Sequence, residues 1–159
     1  SLGSSMYAKE IARSRRRNVE SAYLCGLLHN IGKPVTLKYL HEIMKKMKIK
    51  LSQEEVSQIL NEEHHFLGSR MAKEWDLPEQ VEITINYYEK FRETEKFEDE
   101  VMTVALAHLC TDELLKPESI SEEEICQHDV VDDLNLYPDD VEDILGKKDK
   151  IRESISSIG

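Results

Sequence analysis

The amino-acid sequence predicts an all-α fold, a single multi-helix bundle of about seven or eight helices over residues 1–159. The chain has only six glycines and four prolines, and it contains no Asn-Gly or Asp-Gly dipeptide that would mark a β-hairpin. No stretch alternates apolar and polar residues for long enough to predict a strand. Apolar residues instead recur at intervals of three and four, which is the spacing of one helical face.

The stretch YLCGLLHNIGKP, residues 23–34, predicts a helix and its end. Its apolar side chains are spaced as one buried face: Leu24, Leu27, Leu28 and Ile31. Gly32 is predicted to form the C-terminal cap, since glycine readily adopts the left-handed conformation common there. Pro34 is predicted to prevent the helix from continuing.

The next two helices are predicted from the residues that begin them. Ser52 and Glu55 have the spacing of a capping box, which opens a helix. Pro78 fits the first turn of another helix. The apolar residues after these two starts fall on single faces: Val56, Ile59 and Leu60 in the first, and Val81, Ile85 and Tyr88 in the second.

The last part of the chain continues the helical pattern. Residues 101–114, VMTVALAHLCTDEL, are the most apolar stretch and predict the most buried helix. Ser121 and Glu124 form a second predicted capping box. Pro138 is predicted to open a final helix with the apolar residues Val141, Ile144 and Leu145.

Composition indicates a soluble cytoplasmic domain. The residues are 40% hydrophobic and 33% charged, which is ordinary for a globular protein. The net charge of −11 predicts that the chain binds neither nucleic acid nor an anionic membrane, because like charges repel. No apolar run would span a bilayer, and no signal peptide is expected. The three cysteines, Cys25, Cys110 and Cys126, are odd in number and far apart, and two of them lie in apolar helical runs. This favours buried thiols in a reducing cytoplasm over disulfides.

Charge is unevenly distributed along the chain. Residues 118–143 contain eleven Asp and Glu residues and no Lys or Arg. This stretch is interpreted either as a solvated face or as a docking surface for a basic partner. The arginine run at residues 13–17 is predicted to form a solvated helix end that pairs with the protein's own acids.

A histidine near a predicted helix end is the first candidate for chemistry. His29 precedes Asn30, one substitution away from a His-Asp pair that could give a metal both a neutral nitrogen and an anionic oxygen. The neutral carbonyl of asparagine is a poor substitute where two cations must be held close together. Spacing alone therefore predicts that His29 is a packed histidine, whose charge suits the helix C-terminus.

Other histidines give weaker signals. His64 and His65 are neighbours in a predicted helix, about 100° apart, and are not expected to share a metal. Cys25 lies one turn before His29, but a Cys-His dyad needs an orienting group that the sequence does not identify. The remaining histidines show no useful clustering: His41, His108 and His128.

Several stretches, in this order, resemble the HDOD family, a divergent branch of the HD-domain superfamily. They are YLCGLLHNIGKPV, EEHHFLGSRMAKEWDLPEQVEITINYYEKF, VALAHLCTDEL and LNLYPDDVEDIL. The resemblance implies an all-α bundle. Members of this family normally carry a further helical segment upstream, so this chain is expected to begin just after the superfamily's first metal ligand.

The resemblance also implies an eroded metal site. His29 matches the histidine of the His-Asp pair, Asn30 replaces its aspartate, and His64 matches the next histidine. Tyr88 and Glu89 stand where the family commonly has two histidines. Thr111 replaces an aspartate, and Lys33 is either an anion ligand or a surface lysine. The full set of matched positions is His29, Asn30, Lys33, His64, Tyr88, Glu89 and Thr111. Two surviving histidines are too few for a cation site, so no catalytic residue, metal or cofactor is predicted.

Two functions follow from the resemblance. The favoured one is a non-catalytic bacterial signal-transduction module that acts through contacts with a protein partner or a fused signalling domain. The alternative is a metal-dependent phosphohydrolase or phosphodiesterase acting on nucleotides or cyclic dinucleotides, which would need Asn30, Glu89 and an upstream histidine as ligands. The oligomeric state is left open.

Overall fold

The computed structural model describes residues 1–158 and confirms the all-α prediction, with ten α-helices, one short 3-10 helix and no β-strand in that range. The α-helices are α1 Leu2–Ser14, α2 Val19–Leu28, α3 Gly32–Met47, α4 Gln53–Glu74, α5 Glu79–Tyr87, α6 Glu98–Leu115, α7 Glu122–Cys126, α8 Asp129–Asp133, α9 Pro138–Leu145 and α10 Lys148–Ile158. The 3-10 helix is Phe91–Glu93. Eight of the α-helices have eight or more residues. None of the described helices is both long enough and apolar enough to cross a bilayer.

Helix α6 is the centre of the bundle. Ten of its 18 residues are buried, which confirms the prediction for residues 101–114. The helix packs against α1 and α2, against α5, and against the short helices α7 and α8. It contributes to two apolar cores: Leu106 packs with α1 and α7–α10, and Val104 packs with residues from α2, α4 and α5.

The predicted helix starts at Ser52, Ser121 and Pro138 are confirmed. Pro78 is the N-cap of α5 and does not lie in its first turn, and α9 is not the final helix, because α10 follows it. The Ser52 hydroxyl accepts a hydrogen bond from the Glu55 N–H, and the Glu55 carboxylate accepts one from the Ser52 N–H. Ser121 and Glu124 form the same reciprocal pair. Pro138 is the first residue of α9, where a missing N–H costs nothing. The apolar residues predicted for α9 are buried. Those predicted on the face of α5 are also buried, including Tyr88, which is the C-cap of that helix.

Helix α2 buries a different face from the predicted one. The buried residues are Ala22, Cys25, Gly26 and His29. The predicted leucines and Ile31 are only partly buried. The cause is the close approach of α1, because a Cβ atom on Gly26 would lie 2.7 Å from the carbonyl oxygen of Ser4. Small residues therefore face α1, and the larger leucines lie to either side of them.

Gly32 begins α3 and does not cap α2, so the prediction of a glycine cap is wrong. No glycine among residues 1–158 has a positive φ. A Cβ atom on Gly32 would lie 1.8 Å from the carbonyl oxygen of His64, so this position has no space for a side chain. Pro34 lies in the first turn of α3, where proline is compatible with a helix.

The arginine run pairs with the protein's own acids, as predicted. The Arg13 and Glu10 side chains are 2.7 Å apart, and those of Arg15 and Asp99 are 2.6 Å apart. Arg17 lies 3.6 Å from the same aspartate. The first pair lies within α1, and the two pairs with Asp99 connect the residues after α1 to the start of α6.

Candidate functional site

A cluster of polar side chains lies where α2, α4, α5 and α6 meet. We call it the histidine cluster, and it consists of His29, Asn30, His64, His65, Tyr88, Glu89, His108 and Asp112. Of the seven positions predicted from the resemblance, it brings together five. The structure adds His65, His108 and Asp112.

Glycine contacts position these helices. The Gly32 backbone lies directly against the His64 carbonyl, and a Cβ atom on Gly68 would lie 2.9 Å from the side chain of Ile85 and 3.3 Å from the Gly32 nitrogen. These close approaches bring the start of α3, the middle of α4 and the end of α5 together. The side chains of His64, His65 and Tyr88 can then meet next to His29.

His29 is fully buried, and both of its ring nitrogens are used within the protein. Its Nδ1 lies 2.7 Å from the Gly26 carbonyl oxygen, and its Nε2 lies 3.0 Å from Nδ1 of His108. The Nε2 of His108 is in turn 3.4 Å from a carboxylate oxygen of Asp112. Burial, and then the neighbouring His108, hold the pKa of His29 well below its ordinary value, so His29 is neutral.

Asn30 is held by the buried hydroxyl of Tyr88. That hydroxyl lies 2.8 Å from Asn30 Oδ1 and 3.2 Å from an oxygen of Glu89. The Tyr88 ring packs edge-on against His29, with ring centroids 4.7 Å apart. Burial, followed by the nearby Glu89 carboxylate, raises the pKa of Tyr88, so its hydroxyl keeps its proton and remains a donor.

His64, His65 and Glu89 form a second group of contacts within the cluster. Nε2 of His65 lies 2.7 Å from Glu89 Oε2, and Nε2 of His64 lies 3.8 Å from the same oxygen. The pKa of Glu89 is held well below its ordinary value by His64 and then His65, of which only His65 is within hydrogen-bonding distance. One ligand atom from each of the three residues lies within 4.8 Å of the others. The two adjacent histidines thus direct one nitrogen each toward the same carboxylate, although they are about 100° apart around the helix. That they do not share a metal stays a prediction.

The remaining predicted positions lie apart from these contacts. Thr111 donates a hydrogen bond to the Ala107 carbonyl and accepts one from Ser4, and it makes none to the cluster. Lys33 is half-buried, and among residues 1–158 its side chain has no hydrogen bond or ion pair. Its positive charge contributes to lowering the pKa of His29 and of His108. Both interpretations of Lys33 stay open.

The Cys25–His29 dyad does not form. Burial raises the pKa of the Cys25 thiol to about 11, so the nucleophilic thiolate is disfavoured. Both ring nitrogens of His29 are already paired with Gly26 and His108. Cys25 instead packs in the apolar core shared by α2, α4 and α5.

A cavity of about 270 Å3 borders the cluster. Four residues of the cluster line it, Tyr88, Glu89, His108 and Asp112, and so do Phe91 and His128. The Glu89 side chain is 47% exposed, whereas that of His64 is 1% exposed. The cluster therefore runs from a buried end at His29 to a water-accessible end at Glu89.

One comparison with known proteins identifies a family. The family model of the HDOD domain matches residues 1–91. A protein of Treponema pallidum (strain Nichols), described only as an uncharacterized protein, is 30% identical over 98 residues, which cover 57% of this chain and 19% of the relative. The chain thus spans about a fifth of the length of that curated relative. No solved structure matches this chain.

Proposed function

Because this chain belongs to the HDOD domain family, we propose that it is a bacterial signal-transduction module that acts through protein contacts and not through hydrolysis. Its partner would be another protein or a signalling domain fused to it. In this proposal, the helices that hold the superfamily's His-Asp metal pair are retained, but the residues at the pair's positions no longer support hydrolysis.

The observation that carries this proposal is the hydrogen bond from Tyr88 to Asn30. Hydrolysis with paired cations needs a free imidazole lone pair and an anionic oxygen directed at the same metal. Here His29 Nε2 accepts a hydrogen from His108, and the neutral Oδ1 of Asn30 accepts one from Tyr88. Both groups are thus satisfied by the protein, and the aromatic ring packs against His29.

An exposed apolar surface supports the protein-contact part of the proposal. It lies on α3 and α4 and contains Tyr39, Ile43, Met47 and Phe66, all of them exposed. A shallow depression of about 470 Å3 between the two helices is lined partly by Tyr39, Ile43, Leu67 and Met71. Tyr39, Ile43 and Met47 are spaced four residues apart on one face of α3, and exposed apolar patches of this kind are typical of protein-interaction surfaces.

A hydrolysis assay tests the non-catalytic part. The full chain, supplied with Mn2+, Fe2+ or Zn2+, is incubated with nucleotides, cyclic dinucleotides and a model phosphodiester. We expect rates no higher than those of the His29→Ala variant. Turnover that disappears in both His29→Ala and His64→Ala would overturn the proposal and support the phosphohydrolase alternative.

Site-specific photo-crosslinking in cells tests the protein contacts. A photoreactive phenylalanine analogue replaces Tyr39 on the α3–α4 surface or, as the control, the exposed Tyr137 at the start of α9. We expect a discrete adduct from position 39 that disappears when Ile43 is also changed to Asp. Equal, diffuse labelling from both positions would count against this surface as the contact.

A further inference from the structure

We infer that His64, His65 and Glu89 bind a single divalent transition-metal cation of the zinc class. This inference goes beyond the proposed function, because it assigns a ligand that neither protein contacts nor the lost His-Asp chemistry requires. The site uses neither His29 nor Asn30, and it holds one cation and not a pair. The cation would link His64 and His65, in the middle of α4, to Glu89, which directly follows Tyr88, the C-cap of α5.

The first step of the argument is the hydrogen placement on His65. Its Nδ1 lies 2.5 Å from the backbone carbonyl of Ile85. A carbonyl oxygen only accepts, so this nitrogen carries the hydrogen, and in a neutral ring Nε2 carries the lone pair. Metal-binding histidines commonly donate their other ring hydrogen to a backbone carbonyl, which fixes the orientation of the ring. The Ile85 carbonyl orients His65 in this way, with Nε2 available to coordinate.

The second step is what that lone pair faces. Nε2 of His65 lies 2.7 Å from Glu89 Oε2. A carboxylate oxygen also carries lone pairs, so two electron-rich atoms at this distance need a positive centre between them or beside them. Either an additional proton on the ring or a metal cation meets that need, and a cation can bind both atoms at once.

The third step is the unpaired state of His64. Its ring is fully buried, and neither nitrogen has a hydrogen-bond partner within residues 1–158. A buried polar group without a partner costs about 1–3 kcal/mol. The Nε2 atom is directed at Glu89 from 3.8 Å, too far for a hydrogen bond but suitable for a shared cation. Coordination would therefore use a nitrogen that the protein itself leaves unpaired.

The donor set and its dimensions fit zinc. Two imidazoles and one carboxylate form a donor set that zinc uses with water in a fourth position. In a tetrahedral site with bonds of about 2.0 Å, neighbouring ligand atoms are about 3.3 Å apart. The two nitrogen–oxygen distances to Glu89, 2.7 Å and 3.8 Å, bracket that value. The half-exposed Glu89 side chain gives the cation and its water access from solvent.

Titration with metal ions tests the site. The full chain, treated with a chelator and dialysed, is titrated with Zn2+ by calorimetry, and bound Co2+ is followed by its visible absorption. We expect one strong site with a Co2+ spectrum of low coordination number, together with a rise in melting temperature. Glu89→Gln and His65→Asn should each weaken Zn2+ binding by about tenfold or more.

The controls separate this site from unspecific binding. His41→Ala removes an exposed histidine outside the cluster and should leave the strong site unchanged. Circular dichroism and a melting curve in EDTA establish that each variant is folded, and the two partly exposed ligands provide two independent variants. Absence of Zn2+ binding by the parent chain, or equal binding by it and by folded Glu89→Gln and His65→Asn, would overturn the inference. Neither result depends on hydrolysis or on a partner.

Discussion

The Nε2 atom of His29 lies 3.0 Å from the Nδ1 atom of His108, so the two rings share one hydrogen across the junction of α2 and α6. The Nδ1 of His29 faces the Gly26 carbonyl, which can only accept, so this nitrogen carries a hydrogen. The hydrogen between the rings must then come from His108. A second proton on His29 would break this contact at a fully buried ring.

This arrangement predicts a loss of stability in mild acid. The pKa of His29 is lowered in the folded protein, first by burial and then by His108, while Lys33 adds to the effect. The unfolded chain, with an ordinary histidine pKa of about 6.5, therefore binds the proton first as the pH falls. The contribution of His29 is fully present above pH 6.5 and declines below it, by up to about 1.4 kcal/mol per pH unit.

Urea unfolding at several pH values between about 7 and 5 measures this contribution. The free energy of unfolding should fall less steeply with decreasing pH in His29→Gln than in the parent chain. His41→Gln, which changes an exposed histidine, should keep the parent slope. Equal slopes in all three proteins would mean that His29 is protonated in the folded state as readily as in the unfolded state.

A second prediction concerns two buried tyrosine hydroxyls with opposite surroundings. Tyr88 donates to Asn30, so Tyr88→Phe should lower the free energy of unfolding by about 1 kcal/mol. Tyr7 is also fully buried, but its hydroxyl has no hydrogen-bond partner among the described residues. Tyr7→Phe removes an unpaired polar atom and should be neutral or stabilising. Denaturant unfolding of both variants measures the two changes in the free energy of unfolding. A larger loss in Tyr7→Phe than in Tyr88→Phe would contradict these hydrogen-bond assignments.

The crossing of α3 and α4 gives a third prediction. Gly32→Ala would place a methyl group 1.8 Å from the His64 carbonyl oxygen, so the helices must separate. We expect a destabilisation of about 3 kcal/mol, the upper part of the range for overpacking. Gly146→Ala is the matched control, because Gly146 has helical φ and ψ, and its nearest atom to an added Cβ is 3.2 Å away. Thermal unfolding should show a clear loss for the first variant and little change for the second.

Thiol reactivity gives a fourth prediction. Burial raises the pKa of Cys25 to about 11 and raises that of Cys110 as well, whereas Cys126 is exposed. At pH 8 a thiol reagent such as DTNB should modify one cysteine in the native protein and three after denaturation. Cys126→Ser should abolish the fast reaction. Rapid modification of two or three native thiols would show that the apolar cores open readily.

The sequence identified features that depend on a few neighbouring residues. The two capping boxes and Pro138 were predicted because their hydrogen bonds and backbone angles are local. Helix ends were harder, because non-glycine residues with positive φ follow several helices: Arg16, Lys48, Asp76 and Asn135. The glycines that the pattern would place there serve instead at close contacts between helices, as Gly32 does.

The histidine cluster was only partly predictable for a related reason. The resemblance located five of its residues by position along the chain: His29, Asn30, His64, Tyr88 and Glu89. His108 and Asp112 are one helical turn apart on α6, but nothing in their spacing shows that this face meets the end of α2. The approach of His65 to Glu89 likewise depends on how α4 crosses α5, which small residues such as Gly68 determine through packing.

The glycine crossing has a mechanical consequence. Helix α3 packs mainly on α4, and this pair meets the bundle near Gly32 and Gly68, while its far tip is the turn at residues 48–52. The tip lies about 18 Å along α4 from His64, at 1.5 Å per residue. The two helices thus project as one arm from a crossing point beside the histidine cluster. A rotation of about 10° about that point would move the tip by about 3 Å. Such a rotation would move Met47, near the tip, further than Phe66, which lies beside the crossing.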